Sequence, residues 1–290
     1  QGLASYVIKA FPEKAKAGTL SAVLAYDSRK NSDVFAEAAA CIFAANGIKA
    51  YLFSSLRPTP ELSFAVRTLG ADTGVIVTAS HNPRIYNGYK VYWNDGAQVI
   101  PPHDKGIIGE VNAVKEVKTM SKDEAIKAGK IVLIDKDIDE KFWDMCKAQL
   151  FRPDLIKAHA KDVKIVYTPL HGTGGMHVEK VLGDLGLTVI TVPEQRKPDG
   201  NFPTVEKPNP EEAPAMKLAI ALGEKEKADC IMATDPDADR FGSAFPDKDG
   251  KFVLITGNQM GALFLEYILL SRKELGKMPE KPAAVRTIAT

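Results

Sequence analysis

Long apolar runs are missing. Nothing in the 290 residues approaches the roughly twenty consecutive apolar positions of a membrane-spanning helix, and the opening residues do not read as a secretory leader. An excess of either charge is also missing. Thirty-eight Lys and Arg stand against 37 Asp and Glu, for a formal charge of +1. That balance offers nucleic acid no basic field and the chain no acidic tail. Cysteine is scarce. Cys41, Cys146 and Cys230 are odd in number, scattered and without CxxC spacing. Each lies among apolar residues and reads as a buried free thiol in a reducing compartment. No short-period repeat is present. A cytoplasmic globular protein is expected, binding neither nucleic acid nor membrane, and long enough for about two domains.

What is present is an alternation of strand and helix patterns. Helical spacing runs from residue 3 to 17, closed by Gly18. Strand-like 20–26 ends in Asp27-Ser28-Arg29-Lys30-Asn31-Ser32, and Asp33 to Asn46 follows as a helix with Ser32 as its cap. Strand 48–53 and helix 59–69, with Pro60 in its first turn, come next. A buried strand then ends in Thr78-Ala79-Ser80-His81-Asn82-Pro83. Runs 89–93 and 97–100 flank Asn94-Asp95-Gly96 as a hairpin, giving the sheet an antiparallel edge. Residues 101–114 restart a helix, 115–137 read as loop and edge, and 139–150 as a helix. A second unit opens with strand 163–168 and the turn Pro169 to Gly175. It continues with a helix to Leu185, strand 187–192, helix 211–222, strand 229–233, a hairpin around Asp247 to Gly250, and an apolar helix 259–270. The expected fold class is α/β, as two tandem three-layer domains, residues 1–155 and 156–290, with mixed, mostly parallel sheets. The final run, Val285 to Thr290, reads as the start of another strand opening a third domain, and the chain as a piece of a longer protein.

Two loops carry the chemistry-bearing residues. Ser80 lies at the carboxyl end of a strand, where open α/β sheets bind ligands; Ser, Asn and Pro are also ordinary turn residues. Asp235-Pro236-Asp237-Ala238-Asp239-Arg240 follows a buried strand. Its three carboxylates converge only if the backbone curls, and converging hard oxygens suit Mg²⁺ or Ca²⁺. An EF-hand is excluded, because its Gly and Glu positions hold Arg240 and Pro246. A phosphatase-type loop with Asp235 as nucleophile stays open, as does an acidic surface turn. His171-Gly172-Thr173-Gly174-Gly175 before a helix suits phosphate approach, or simply a glycine-rich turn. Lys90 and Arg29 read equally as solvated residues.

Taken together, Thr78-Ala79-Ser80-His81-Asn82-Pro83, Asn87-Gly88-Tyr89-Lys90 and Asp235 to Arg240, in that order and separation, resemble the α-D-phosphohexomutases, in particular the bacterial phosphoglucomutase/phosphomannomutase group. Asp27-Ser28-Arg29, Thr168 to Gly172 and Thr256 to Gln259 extend the likeness over nearly the whole chain. The resemblance implies a phosphoserine at Ser80, and Mg²⁺ held by Asp235, Asp237, Asp239 and a phosphate oxygen on Ser80. It implies Lys90 as general acid or base with its pKa lowered by neighbouring cations, and Arg240 as a phosphate fork. His81, Asn82 and Arg29 would shape the serine's surroundings, and His171 would line the cleft. The implied reaction interconverts hexose 1- and 6-phosphates, glucose or mannose ahead of glucosamine, through a hexose bisphosphate.

The family's opening Arg-Gly segment, its sugar-recognising loop and its C-terminal phosphate-binding domain are not found here. The expectation is therefore the first two of four domains, binding Mg²⁺ weakly and turning over little alone. An aspartyl-phosphate phosphatase and a non-enzymatic binding or regulatory homologue are the rival classes. Intact Ser80, Lys90 and Asp triplet argue against the latter.

Overall fold

The computed structural model describes residues 1–285. The strand start expected at 286–290 lies outside the described residues. Two compact units emerge. The first comprises Gln1–Phe142 with the short excursions Asp199–Asn201 and Pro236–Asp239; the second comprises the intervening and following chain. The division falls between Phe142 and Trp143, inside a helix, whereas the sequence suggests 155.

In the first unit, α1 (Gly2–Ala10) and α2 (Pro12–Ala17) replace the single expected helix. Phe11 adopts φ −125°, ψ 62°, because a residue preceding proline is driven out of the helical region. The succession continues with β1 (Ser21–Tyr26), α3 (Ser32–Ala45), β2 (Lys49–Phe53), α4 (Thr59–Leu69), β3 (Thr73–Val77), β4 (Tyr89–Trp93) and α5 (His103–Asn112). It ends with α6 (Lys122–Lys127), β5 (Ile131–Ile134) and α7 (Lys136–Ala148). The sheet order is β4-β3-β1-β2-β5. All neighbours run parallel except β4, which is antiparallel to β3 with Ile76 opposite Lys90. The antiparallel edge is as expected, but the second arm of the hairpin reduces to one bridge, Tyr92 to Gln98.

Both faces of this sheet are covered. Ala22, Leu24, Val75 and Val77 point into one apolar cluster with α1 and α3; Val23, Ala25 and Ile76 point into another with α4. Successive strand residues alternate between faces, so a parallel strand buried on both sides is apolar throughout. Each such Val, Leu or Ile contributes roughly 1.5–3 kcal/mol.

The second unit runs through α8 (Pro153–His159), β6 (Lys164–Thr168), α9 (Gly174–Asp184), β7 (Thr188–Thr191), α10 (Pro193–Arg196), α11 (Ala213–Glu226), β8 (Cys230–Thr234), β9 (Phe241–Pro246), β10 (Phe252–Ile255) and α12 (Gly257–Glu274). Its sheet order is β10-β9-β8-β6-β7, with β9 antiparallel to both of its neighbours and β8, β6 and β7 parallel. The chain is thus α/β with two mixed sheets. The apolar helix expected to close this unit is α12. Instead of packing into a core, it leaves Leu263, Phe264, Leu265, Tyr267, Leu269 and Leu270 exposed among the described residues.

Candidate active site

In each unit the chain leaves the middle parallel strand, adds a strand on one side, then crosses to the other. In the first unit β1 is followed by β2 on one flank and β3 on the other. The carboxyl ends of β1 and β3 therefore form the switch point at which such sheets bind ligands. The Asp27 turn and the Ser80 loop are those two ends.

Ser80 is nearly buried, 9% exposed, and holds φ +53°. This left-handed conformation costs a residue other than glycine roughly 1 kcal/mol or more. The surroundings supply the constraint. Its N–H donates to Thr78 Oγ1 at 2.9 Å, and its carbonyl accepts from Arg29 Nη2 at 2.6 Å. Arg29 also donates to the carbonyls of Asn82, Pro83 and Tyr86, so one guanidinium gathers the whole loop. Gly88 closes the other side: its carbonyl accepts from the Thr78 N–H at 3.1 Å. A Cβ on Gly88 would lie 2.4 Å from the Thr78 carbonyl oxygen, so no larger residue fits.

Asp27 lies beneath this loop. Its carboxylate accepts from Thr78 Oγ1 at 2.7 Å, Ser32 Oγ at 2.9 Å and the Arg29 N–H at 2.9 Å, and pairs with Arg29 Nε at 3.3 Å. Burial pushes its pKa up, against the Thr78 hydroxyl, the Arg29 amide, the Arg29 charge and the Ser32 hydroxyl. Ser32 therefore does not cap α3, contrary to the sequence reading. The cap position is Asn31, without a side-chain bond, and the Ser32 hydroxyl is committed to Asp27.

His81, half-buried, brings Nδ1 to 3.2 Å from Ser80 Oγ. Asn82 is exposed and folds its side-chain amide onto the Ala79 carbonyl at 3.0 Å. Lys90, on β4, reaches Asp237 Oδ2 at 2.7 Å and Asp239 Oδ2 at 3.0 Å. Thr59, opening α4, donates its N–H to the Asp237 carbonyl at 2.8 Å and its hydroxyl to Asp237 Oδ2 at 2.7 Å. The lowered pKa expected for Lys90 is reversed. Burial alone would lower it, but the Asp237 and Asp239 carboxylates outweigh burial and hold the ammonium charged.

The acidic loop does curl. Ala238 takes φ +52°, and carboxylate oxygens of Asp235, Asp237 and Asp239 come within 4.8 Å of one another. Asp235 and Asp237 are fully buried. Three converging carboxylates, two of them desolvated, form a donor set that fits a hard divalent cation. Arg240 donates its backbone N–H to Asp235 Oδ1 at 3.0 Å and leans its guanidinium toward Glu211 at 3.6 Å.

His171 follows the carboxyl end of β6. It is 2% exposed, with Nδ1 3.3 Å from the Lys197 carbonyl and Nε2 2.9 Å from Thr204 Oγ1. Both ring nitrogens are engaged in the interior of the second unit.

Sequence comparison bears on the same residues. The family model described as phosphoglucomutase/phosphomannomutase, alpha/beta/alpha domain I, matches residues 1–118, and that for domain II matches 140–250. The chain belongs to the phosphoglucomutase/phosphomannomutase family. A Saccharomyces cerevisiae protein named phosphoribomutase is 38% identical over 96% of this chain and 46% of its own length. A Haemophilus influenzae protein named "Probable phosphomannomutase" is 39% identical over 92% of this chain and 53% of its own. A crystal structure of a phosphoglucomutase/phosphomannomutase family protein from Burkholderia thailandensis superposes with a TM-score of 0.66. It shares 25% identity and covers 92% of this chain and 55% of that one. The chain thus spans about half the length of the curated relatives it matches.

Sequence reading singles out Ser80, Lys90 and the three aspartates but passes over Thr78 and Thr59. Threonine at a strand end or before a helix looks like ordinary β or cap chemistry, and only the fold reveals what its hydroxyl touches.

Proposed function

We propose that this protein is a phosphosugar mutase that carries a phosphoryl group on Ser80 and interconverts hexose 1- and 6-phosphates of glucose or mannose through a hexose bisphosphate. The observation that carries the reading is one strand pair. β3 ends in a serine held in a constrained turn, and β4 sends Lys90 into an acidic triplet suited to a metal. In one direction a sugar hydroxyl oxygen attacks phosphorus, the bond from phosphorus to Ser80 Oγ breaks, and the hydroxyl proton must leave. In the other, Ser80 Oγ attacks and the sugar oxygen leaves. As the ammonium that Asp237 and Asp239 favour, Lys90 gives a proton to the sugar oxygen that leaves. With those carboxylates turned to a cation it would be neutral and would take the proton of the attacking sugar hydroxyl, while His81, 3.2 Å from Ser80 Oγ, exchanges the serine proton. Arg29 positions the loop. Asp235, Asp237 and Asp239 would hold Mg²⁺, with an oxygen of the Ser80 phosphate as a further ligand; the ion neutralises charge on the transferring group. Arg240 and Asn82 are the side chains offered to phosphate. Three free cysteines support a cytoplasmic setting.

The aspartyl-phosphatase alternative fits less well. Asp235 is fully buried and one oxygen already accepts the Arg240 N–H, so it is poorly presented as a nucleophile. Phosphoglucosamine stays as an alternative sugar, and relatives named for ribose phosphate make the sugar the open variable.

A coupled assay on the full-length protein with the 1-phosphates of glucose, mannose, glucosamine and ribose tests this. Glucose or mannose is expected to give the highest kcat/KM. A preference for ribose or glucosamine would overturn the glucose or mannose assignment, and no turnover on any would overturn the mutase reading.

A further inference from the structure

Beneath Ser80 runs a chain of bonds with a defined polarity. Paired with Arg29 Nε at 3.3 Å and accepting the Arg29 N–H and the Ser32 hydroxyl, the Asp27 carboxylate acts as an acceptor, so the Thr78 proton points at Asp27 Oδ2, 2.7 Å away. With its proton committed there, the Thr78 oxygen has only lone pairs to offer, and one of them meets the Ser80 N–H at 2.9 Å. Ser32 repeats the arrangement. Its proton goes to Asp27 at 2.9 Å, and its oxygen accepts from Asn87 Nδ2 at 3.0 Å. Asn87 in turn takes the Gly88 N–H at 2.9 Å on its side-chain oxygen. Asp27, Ser32 and Thr78 are all buried.

The second unit supplies a comparison. At the end of β6, Thr168 Oγ1 accepts the N–H of Leu170 at 3.1 Å, and Leu170 holds φ +46°. There the Thr168 proton goes to the neutral amide oxygen of Gln195 at 2.7 Å. In both units, then, the residue that donates its N–H to the strand-end threonine is left-handed. Only in the first unit is the acceptor charged, and only there is the held residue a nucleophile candidate.

We propose that Asp27 and Thr78 are positioning residues for phosphoryl transfer: Asp27 orients the Thr78 hydroxyl, and Thr78 fixes the backbone of Ser80 so that its Oγ is presented in one direction. This rests on the reading of Ser80 as the phosphoryl carrier. Misplacing a reacting group by about 1 Å costs on the order of a hundredfold in rate, so losing the relay should act on transfer and not on sugar binding.

The test compares Thr78→Val, Thr78→Ser, Asp27→Asn and Ser80→Ala in the full-length protein. The readouts are the rate of phosphate labelling by ³²P-glucose 1,6-bisphosphate and ribose 1,5-bisphosphate, the concentration giving half-maximal rate, and amide exchange at Ser80. Thr78→Val, close in shape but without the hydroxyl, is expected to slow labelling roughly ten- to a hundredfold. Its half-maximal concentration should stay within about threefold of wild type, and Ser80 amide exchange should rise. Thr78→Ser restores the hydroxyl and should recover most of the rate. Asp27→Asn can turn an amide donor toward Thr78 and should behave like Thr78→Val. Thermal melts separate these effects from unfolding. If Thr78→Val labels at the wild-type rate while Ser80→Ala does not label, the relay is overturned and the carrier reading stands. If Ser80→Ala still labels, the carrier reading falls and the relay falls with it. A Thr78→Ser variant as slow as Thr78→Val would also overturn the relay, since packing and not the hydroxyl would then be decisive.

Discussion

At the scale of single residues, the side chain that organises the serine loop is Arg29, through donors and not through any contact with solvent. It is 3% exposed and spends its guanidinium on four loop carbonyls and on Asp27. Removing one member of a buried ion pair leaves the other charged and desolvated, which costs about 3–5 kcal/mol. Arg29→Met is therefore expected to lower unfolding free energy by about that amount, read from denaturant midpoints. A loss below about 1 kcal/mol would show that water replaces the guanidinium without penalty. The sequence makes Arg29 conspicuous only through its resemblance to a family motif. As a charged residue in a polar turn it reads as solvated, and its burial follows from β1 and β3 being neighbours, which no local pattern reveals.

At the scale of elements, most strands and helices are legible. Thr59–Leu69 matches its expected helix end for end, because Pro60 and Gly70 mark both boundaries. The stretch 115–137 is less legible and hides α6 and β5. Ser121 and Glu124 form a capping box there, an S-x-x-E signal overlooked because lysines dilute the periodicity that follows it. Helix α4 also carries a titrating group. Glu61, fully buried and faced by Arg57, Asp135 and Asp139, has its pKa pushed up to about 9. Burial is the main cause, followed by Asp139, against the opposing charge of Arg57. The ordinary value is 4.5, so between roughly pH 5 and 9 the unfolded chain has released a proton that the folded chain keeps. Stability contributed by this group therefore falls as pH rises through that window. Chemical denaturation across it should show Glu61→Gln with a flatter dependence than wild type; parallel curves would remove Glu61 as the cause.

At the scale of the whole molecule, two sheets share one plan, a middle parallel strand flanked first on one side and then on the other. Each unit places its polar loops at the carboxyl ends of the strands where the order switches: Asp27 and Ser80 on β1 and β3, His171 and Asp235 on β6 and β8. The α/β alternation that predicts this plan is readable from periodicity. Strand order is not, and it is strand order that brings Asp27 under Ser80. The same limit explains His171, which sits in a loop of the right type at the right end of a strand, yet turns its ring inward to Thr204 and Lys197. The claim on which the functional account depends is that Ser80, and no carboxylate, carries the phosphoryl group. Phosphopeptide mapping of the full-length protein after incubation with glucose 1,6-bisphosphate and Mg²⁺ addresses it most directly. The account predicts one phosphate, on the peptide containing Ser80, resistant to hydroxylamine and absent from Ser80→Ala. A hydroxylamine-sensitive phosphate on the peptide containing Asp235, with Ser80 unmodified, would contradict it.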